Sequence, residues 1–211
     1  MPEVTDLLTK YQSKKPLLKK RLNDFRNISN DEDIFKELVF CILTPGSRAK
    51  FCWKSTENLF SSKTIFNGNP KQIKKHLVGV RFNNGKSKRI AGARKMFVNN
   101  NRIQIRNIVN NGITPRELRE WLVDNVNGYG YKEASHFLRN IGLGEDLAIL
   151  DRHVLKNLKK YDVIEEIPKS LTIKRYLEIE EKMKNFTTSI GIPFAELDLL
   201  WWSDETGEVF K

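Results

Sequence analysis

The sequence predicts an all-α protein, and three observations carry that prediction. Apolar residues recur at helical rather than alternating spacing, helix-starting signals precede several of those runs, and no convincing series of strand-like segments intervenes. The first such run is "SNDEDIFKELVFCIL", where Ser29 or Asn30 is placed to cap, acids fill the first turn, and Ile34, Phe35, Leu38, Val39 and Ile42 share one face. Pro45 and Gly46 then break the chain, and Ala49, Phe51, Cys52, Trp53 and Leu59 resume the helical pattern. In "GKSKRIAGARKMFVNN" basic residues take one side and Ile90, Ala93, Met96 and Phe97 the other; the basic side reads either as a solvated face or as a phosphate contact. "TPRELREWLVDN" carries the clearest start. Thr114 can cap, Pro115 suits the first helical position, Glu117 closes a capping box, and Leu118, Trp121 and Leu122 turn inward. Two later runs, "KSLTIKRYLEIEEKMKNF" and "GIPFAELDLLWW", precede the polar tail "SDETGEVFK".

Composition limits what such a protein can do. With 211 residues, 39% of them hydrophobic, and 12 Phe and 4 Trp, the chain can fill the interior of one large domain or of two small lobes. Its 37 Lys and Arg against 26 Asp and Glu leave a net charge of +11, which favours a polyanion, nucleic acid before a membrane surface. No stretch approaches the roughly 18 apolar residues of a membrane span, and "MPEVTDLLTKYQSKK" lacks a signal peptide's apolar run, so the expected location is inside the cell. Cys41 and Cys52 lie in apolar helical segments and read as buried free thiols, and two cysteines are too few for a four-cysteine iron–sulfur cluster.

The stretch "NGYGYKEASHFLRNIGLGEDLAILD" is the most informative. One helix ends near Asn125, Gly128 and Gly130 permit the positive backbone angles of a tight turn, and a second helix starts near Tyr131 or Lys132. Such a helix–hairpin–helix suits a DNA backbone: the glycines let phosphate approach, and the free amides at the second helix's start, around Tyr131, face the anion. A glycine turn between two helices also occurs without any ligand. Lys132 is oddly placed, because the positive end of a helix dipole disfavours an ammonium. Either it is a snorkelling side chain that touches phosphate, or it is an amine whose dehydrated, cationic setting makes it a nucleophile towards a sugar C1′. Asp151 precedes a new helix, where it reads as an N-cap whose second oxygen is also able to stabilise positive charge on a deoxyribose as the base departs.

These residues carry a resemblance. The spacing of 19 between Lys132 and Asp151, together with "GYGYKEASHFLRNIG", "LAILDRHVL", "LDLLWW" and a terminal lysine, resembles the type-2, archaeal-type 8-oxoguanine DNA glycosylase/AP lyases of the helix–hairpin–helix superfamily. The similarity is strongest over residues 121–160 and the tail. It implies a two-lobed helical fold with a DNA-binding cleft between lobes, residues 1–30 and 152–211 forming one lobe and residues 31–151 the lobe with the hairpin. It also implies base-excision repair by a bifunctional DNA N-glycosylase and abasic-site lyase. The damaged base is flipped out of double-stranded DNA, Lys132 forms a Schiff base with C1′ and Asp151 assists, and β-elimination cuts the strand. His136, Asp198, Trp202, Phe194 and Lys211 are the candidates for contacting the extruded base, although His136 and Trp202 also fit plain packing. No redox cofactor is needed; a monovalent cation on the main-chain carbonyls of Val126 and Tyr129 is the one ion the hairpin suggests. A monomer is expected. "TPGSRAKFCW" departs from the family pattern after "ILT". Two alternatives stay open: a non-catalytic hairpin module that binds DNA, which leaves the Lys132 and Asp151 pair unexplained, and a glycosylase for another damaged or mismatched base.

Overall fold

The computed structural model describes residues 2–211, with Pro2 described in its backbone only. Along the chain run α1 (Pro2–Arg26), α2 (Asp31–Leu43), α3 (Ala49–Ser61), α4 (Thr64–Asn67), α5 (Pro70–His76), α6 (Asn83–Phe97), β1 (Val98–Asn99), β2 (Arg102–Ile103), α7 (Arg106–Val109), α8 (Pro115–Asn125), α9 (Tyr131–Asn140), α10 (Arg152–Lys160), α11 (Ile173–Ile190) and α12 (Phe194–Thr206). The two strands are a minimal antiparallel pair, Val98 opposite Ile103, turned by Asn100 and Asn101 at φ of 49° and 58°. Asparagine tolerates that left-handed region better than most residues, which allows a two-residue turn.

The chain forms two compact units, one of residues 28–137 and one of residues 1–27 with 138–211. In the first, α2 is the core helix. Asn30 caps it by accepting from the Asp33 N–H at 2.9 Å, and the expected face of Ile34, Phe35, Leu38, Val39 and Ile42 is buried. Phe40, Cys41 and Leu43 are buried as well, so α2 is enclosed on more than one side. Phe35 anchors it, 6.0 Å in ring-centroid distance from both Phe60 and Phe97. Each such side chain taken out of water contributes about 1.5–3 kcal/mol. Not every apolar position at helical spacing is buried. Phe51 and Met96 are exposed, and Trp121 is half-buried, its ring edge-on to Phe97. Neither face of α3 or α6 is uniform: Lys86, on the side read as basic, is the buried one.

The second unit is built on α12, where Leu197, Leu199, Leu200 and Trp201 are buried and Trp201 stacks on Tyr161 at 6.0 Å and on Phe186 at 6.5 Å. α1 contributes Leu7, Tyr11, Leu18, Leu22 and Phe25 to this core, continuing through Pro16, which deletes one backbone donor. The Tyr11 hydroxyl donates to Glu196 Oε2 at 2.8 Å, and burial together with that carboxylate pushes its pKa up to about 12. The expected boundary near residue 151 lies instead inside α9, between Phe137 and Leu138. Residues after Leu138 belong with α1. The Arg139 guanidinium lies 5.1 Å over the Phe25 ring, Arg26 Nε meets Glu145 Oε1 at 2.5 Å, and a Cβ on Gly142 would press into the Arg26 backbone. Among the described residues no helix is long and apolar enough to cross a membrane.

Candidate nucleic-acid interface and active site

The hairpin follows from local rules at both ends. Thr114 Oγ1 accepts the Glu117 N–H at 3.3 Å while Glu117 Oε2 accepts the Thr114 N–H at 2.8 Å, completing the expected capping box. Hydrogen bonds from Thr114 hold the Glu117 carboxyl below its ordinary value. α8 ends at Asn125, and the Val126 carbonyl accepts the Tyr129 N–H at 3.0 Å to close the turn. The Tyr129 hydroxyl donates to the Leu38 carbonyl at 2.9 Å, tying the turn to α2. Only one of the two expected glycines uses a positive angle. Gly128 has φ +93°, and a Cβ there would collide with the Arg89 side chain. Gly130 serves differently: its N–H donates to Glu133 Oε2 at 3.1 Å, and a Cβ would lie 3.3 Å from that oxygen. A first-turn carboxylate thus caps α9 and offsets the dipole that disfavours Lys132. Tyr131 lies beneath the Arg119 guanidinium at 4.6 Å.

Lys132 is on the first turn of α9 with a side chain 22% exposed, and its Nζ stands 3.5 Å from Thr44 Oγ1 and 3.8 Å from Glu133 Oε1. One turn on, His136 is buried and meets Phe40 edge-on at 5.6 Å, and Phe40 meets Trp53 in the same way at 5.8 Å. Both placements lie in the unit of residues 28–137.

Asp151, in the other unit, uses both oxygens. Oδ1 accepts the His153 and Val154 N–H groups, each at 2.8 Å, which is the expected N-cap of α10. Oδ2 accepts the indole N–H of Trp202 at 3.1 Å. Trp202 is half-buried and lies edge-on to His153 at 6.4 Å, and His153 Nδ1 stands 3.3 Å from Glu205 Oε1. Asp198, four residues before Trp202, is buried with Arg139 NH1 3.5 Å from its Oδ2. Phe194, at the start of the same helix as Asp198 and Trp202, lines an open groove of about 360 Å³ with Pro193, Lys184 and Asp146. Lys211 is buried, so the terminal residue is docked against protein.

Comparisons with known proteins identify the family and the fold. The family model described as 8-oxoguanine DNA glycosylase matches residues 18–192. The chain belongs to that family. A Fusobacterium nucleatum relative named 8-oxoguanine DNA glycosylase/AP lyase is 46% identical, covering 95% of this chain and 94% of its own. One of the same name from Methanocaldococcus jannaschii is 37% identical over 93% of each. The crystal structure of the Methanocaldococcus jannaschii 8-oxoguanine glycosylase/lyase in complex with a 15-mer DNA containing 8-oxoguanine superposes with a TM-score of 0.89, at 33% identity over 100% of both chains. The Thermotoga maritima 8-oxoguanine DNA glycosylase gives 0.86, at 34% identity over 100% of this chain and 99% of that one.

Within this member of the family, four residues next to the candidate groups of the two units were not singled out by the sequence. Thr44 faces the lysine amine, Arg89 lies on the hairpin glycine, Lys86 is wholly buried, and Arg139 pairs with Asp198. Arg139 was open to discovery: as an arginine in the apolar-faced run "HFLRN", it has to find a partner if it turns inward. The others depend on contacts between distant segments.

Proposed function

We propose that this chain excises 8-oxoguanine from double-stranded DNA and then cleaves the strand at the abasic site. The observation that carries the reading is the side chain of Lys132, partly dehydrated at the hairpin's exit, in a chain whose family is shown and whose close relatives bear the double name of glycosylase and lyase. In this scheme Lys132 Nζ attacks C1′ as the bond from C1′ to the base breaks and its electron pair leaves with the base. The sugar ring opens to an iminium joining Nζ and C1′. Loss of a C2′ proton then expels the 3′ phosphate, and water hydrolyses the imine to return the amine.

Asp151 is assigned an electrostatic role. Its three N–H donors fix the direction of the carboxyl oxygens, an arrangement suited to balancing positive charge on the deoxyribose as the base departs. Trp202 is the group that orients Oδ2. His136, Asp198, Phe194 and Lys211 are proposed contacts for the extruded base, the burial of Lys211 supporting a docked tail. Gly128, Gly130 and Tyr131 are the proposed phosphate-facing segment, with Arg89 added to them. Among the described residues no cluster of three or more His, Cys, Asp or Glu suits a metal ion. A hairpin cation is proposed only on the carbonyls of Val126 and Tyr129, and exchanging potassium for tetramethylammonium in a DNA-binding assay tests it. The function is tested by incubating the protein with duplexes that each hold one lesion. Release of 8-oxoguanine with strand cleavage, well ahead of other damaged or mismatched bases, is expected; preference for another base would overturn the substrate assignment.

A further inference from the structure

Lys86 is the only lysine among the buried residues of the unit that carries Lys132, with 1% of its surface exposed. Its Nζ donates to the Leu43 carbonyl at 2.6 Å, the Pro45 carbonyl at 2.7 Å and Ser47 Oγ at 3.0 Å. All three acceptors are neutral. A buried ammonium is costly without a carboxylate, and the cations that act on this one are Arg89 on its own helix, Arg81 ahead of it and Lys132 on α9, while the Cys52 side chain of α3 acts the other way. Burial, with those cations, pushes its pKa down to about 8.

What the ammonium holds explains why such a cost is retained. Leu43 and Pro45 flank Thr44, so Lys86 grips the turn on both sides of the residue that meets Lys132. Thr44 is fixed further, since its N–H donates to Phe40 O at 3.1 Å and its hydroxyl donates to Cys41 O at 3.1 Å. That second bond spends the hydroxyl proton and leaves an oxygen lone pair to receive an N–H from Lys132 Nζ, at 3.5 Å. Ser47 Oγ also accepts the Arg81 N–H at 3.0 Å, which closes the turn onto the segment leading into α6.

We infer that Lys86 is a positioning residue for Lys132: it clamps the Leu43–Ser47 turn so that Thr44 orients the Lys132 amine, and it keeps a second cation in the same neighbourhood. The inference rests on Lys132 being the nucleophile. Two cations close together repel one another, and Glu133, at 3.8 Å from Lys132 Nζ, opposes that repulsion. Lys86 itself has its donors committed to the turn and stays out of the covalent step.

The test is borohydride trapping of the full chain on a duplex with a preformed abasic site, followed from mildly acid to alkaline pH. Lys86→Met keeps the aliphatic stem and removes charge and donors, while Lys86→Arg keeps the charge. Lys86→Met is expected to trap roughly tenfold more slowly near neutral pH, a loss of about 1.4 kcal/mol, with its half-maximal pH moved upward. Lys86→Arg is expected to hold that half-maximal pH near the wild-type position. A Lys86→Met profile unmoved in pH overturns the inference, because a purely structural clamp would lower the rate without moving the profile. Should Lys86→Met fail to fold, Thr44→Val decides: slower trapping with an intact circular dichroism spectrum supports the clamp, and wild-type trapping overturns it. No adduct with the wild-type chain sinks the reading of Lys132, whereas a wild-type adduct with an unmoved Lys86→Met profile sinks only this inference.

Discussion

Replacing Trp202 by Phe isolates one hydrogen bond. The indole N–H donates to Asp151 Oδ2 at 3.1 Å, while Oδ1 is held by two backbone donors at 2.8 Å. Phenylalanine keeps an aromatic ring against His153 and removes the donor. A hydrogen bond to a charged group is worth about 1.5–3 kcal/mol, and because Asp151 is half-buried, water replaces part of the loss. The lower end, about 1.5 kcal/mol, translates to roughly a tenfold fall in rate if it is felt in the transition state. The N-cap survives, so melting temperature should change little. Single-turnover release of 8-oxoguanine from a duplex, at enzyme excess, measures the effect without product release. The outcome expected is slower excision at unchanged DNA affinity. A variant within twofold of wild type would refute the claim that the indole N–H directs Asp151. Stacking on the base is tested separately, because Phe preserves most of it and Trp202→Leu does not.

Three other perturbations follow from the same contacts. Deleting Lys211 removes a buried terminal residue and should narrow the preference for 8-oxoguanine over guanine more than it weakens duplex affinity; equal preference in the two chains, by competition cleavage, would count against a docked role. Arg139→Met leaves Asp198 buried without its guanidinium and should cost about 3–5 kcal/mol in urea unfolding; a change under 1 kcal/mol would show that Asp198 is satisfied by others. Lys86 links stability to pH. Its folded pKa of about 8 lies below the ordinary 10.5, so the unfolded chain binds more protons between those values and stability rises with pH there. Relative to Lys86→Met, the wild type should gain up to about 3 kcal/mol across that window, read from paired denaturation curves, and a flat difference would contradict the burial of a charged amine.

How much of this was legible depended on the range of the interaction. The Asn30 cap, the Thr114 to Glu117 capping box, the Asp151 cap and the end of α8 all rest on groups four residues apart or fewer, and sequence spacing recorded them. α1 carried apolar spacing too, but Pro16 interrupts the pattern that would have marked it. Burial of Lys86 was hidden, because its acceptors lie about forty residues upstream and nothing in "GKSKRI" sets one basic residue apart. The Trp202 bond to Asp151 spans 51 residues, and Asp198 turned towards Arg139 on another helix for the same reason. Gly130 illustrates a subtler limit: two glycines suggested two positive angles, whereas the second makes room for the Glu133 carboxylate.

In the proposed reaction the Lys132 amine becomes covalently joined to deoxyribose. Borohydride reduction during turnover on an 8-oxoguanine duplex, followed by peptide mass mapping, tests it most directly. One nucleotide adduct is expected, on the peptide containing Lys132, and none with Lys132→Gln. An undiminished adduct in that variant, or one mapped to another lysine, would contradict it.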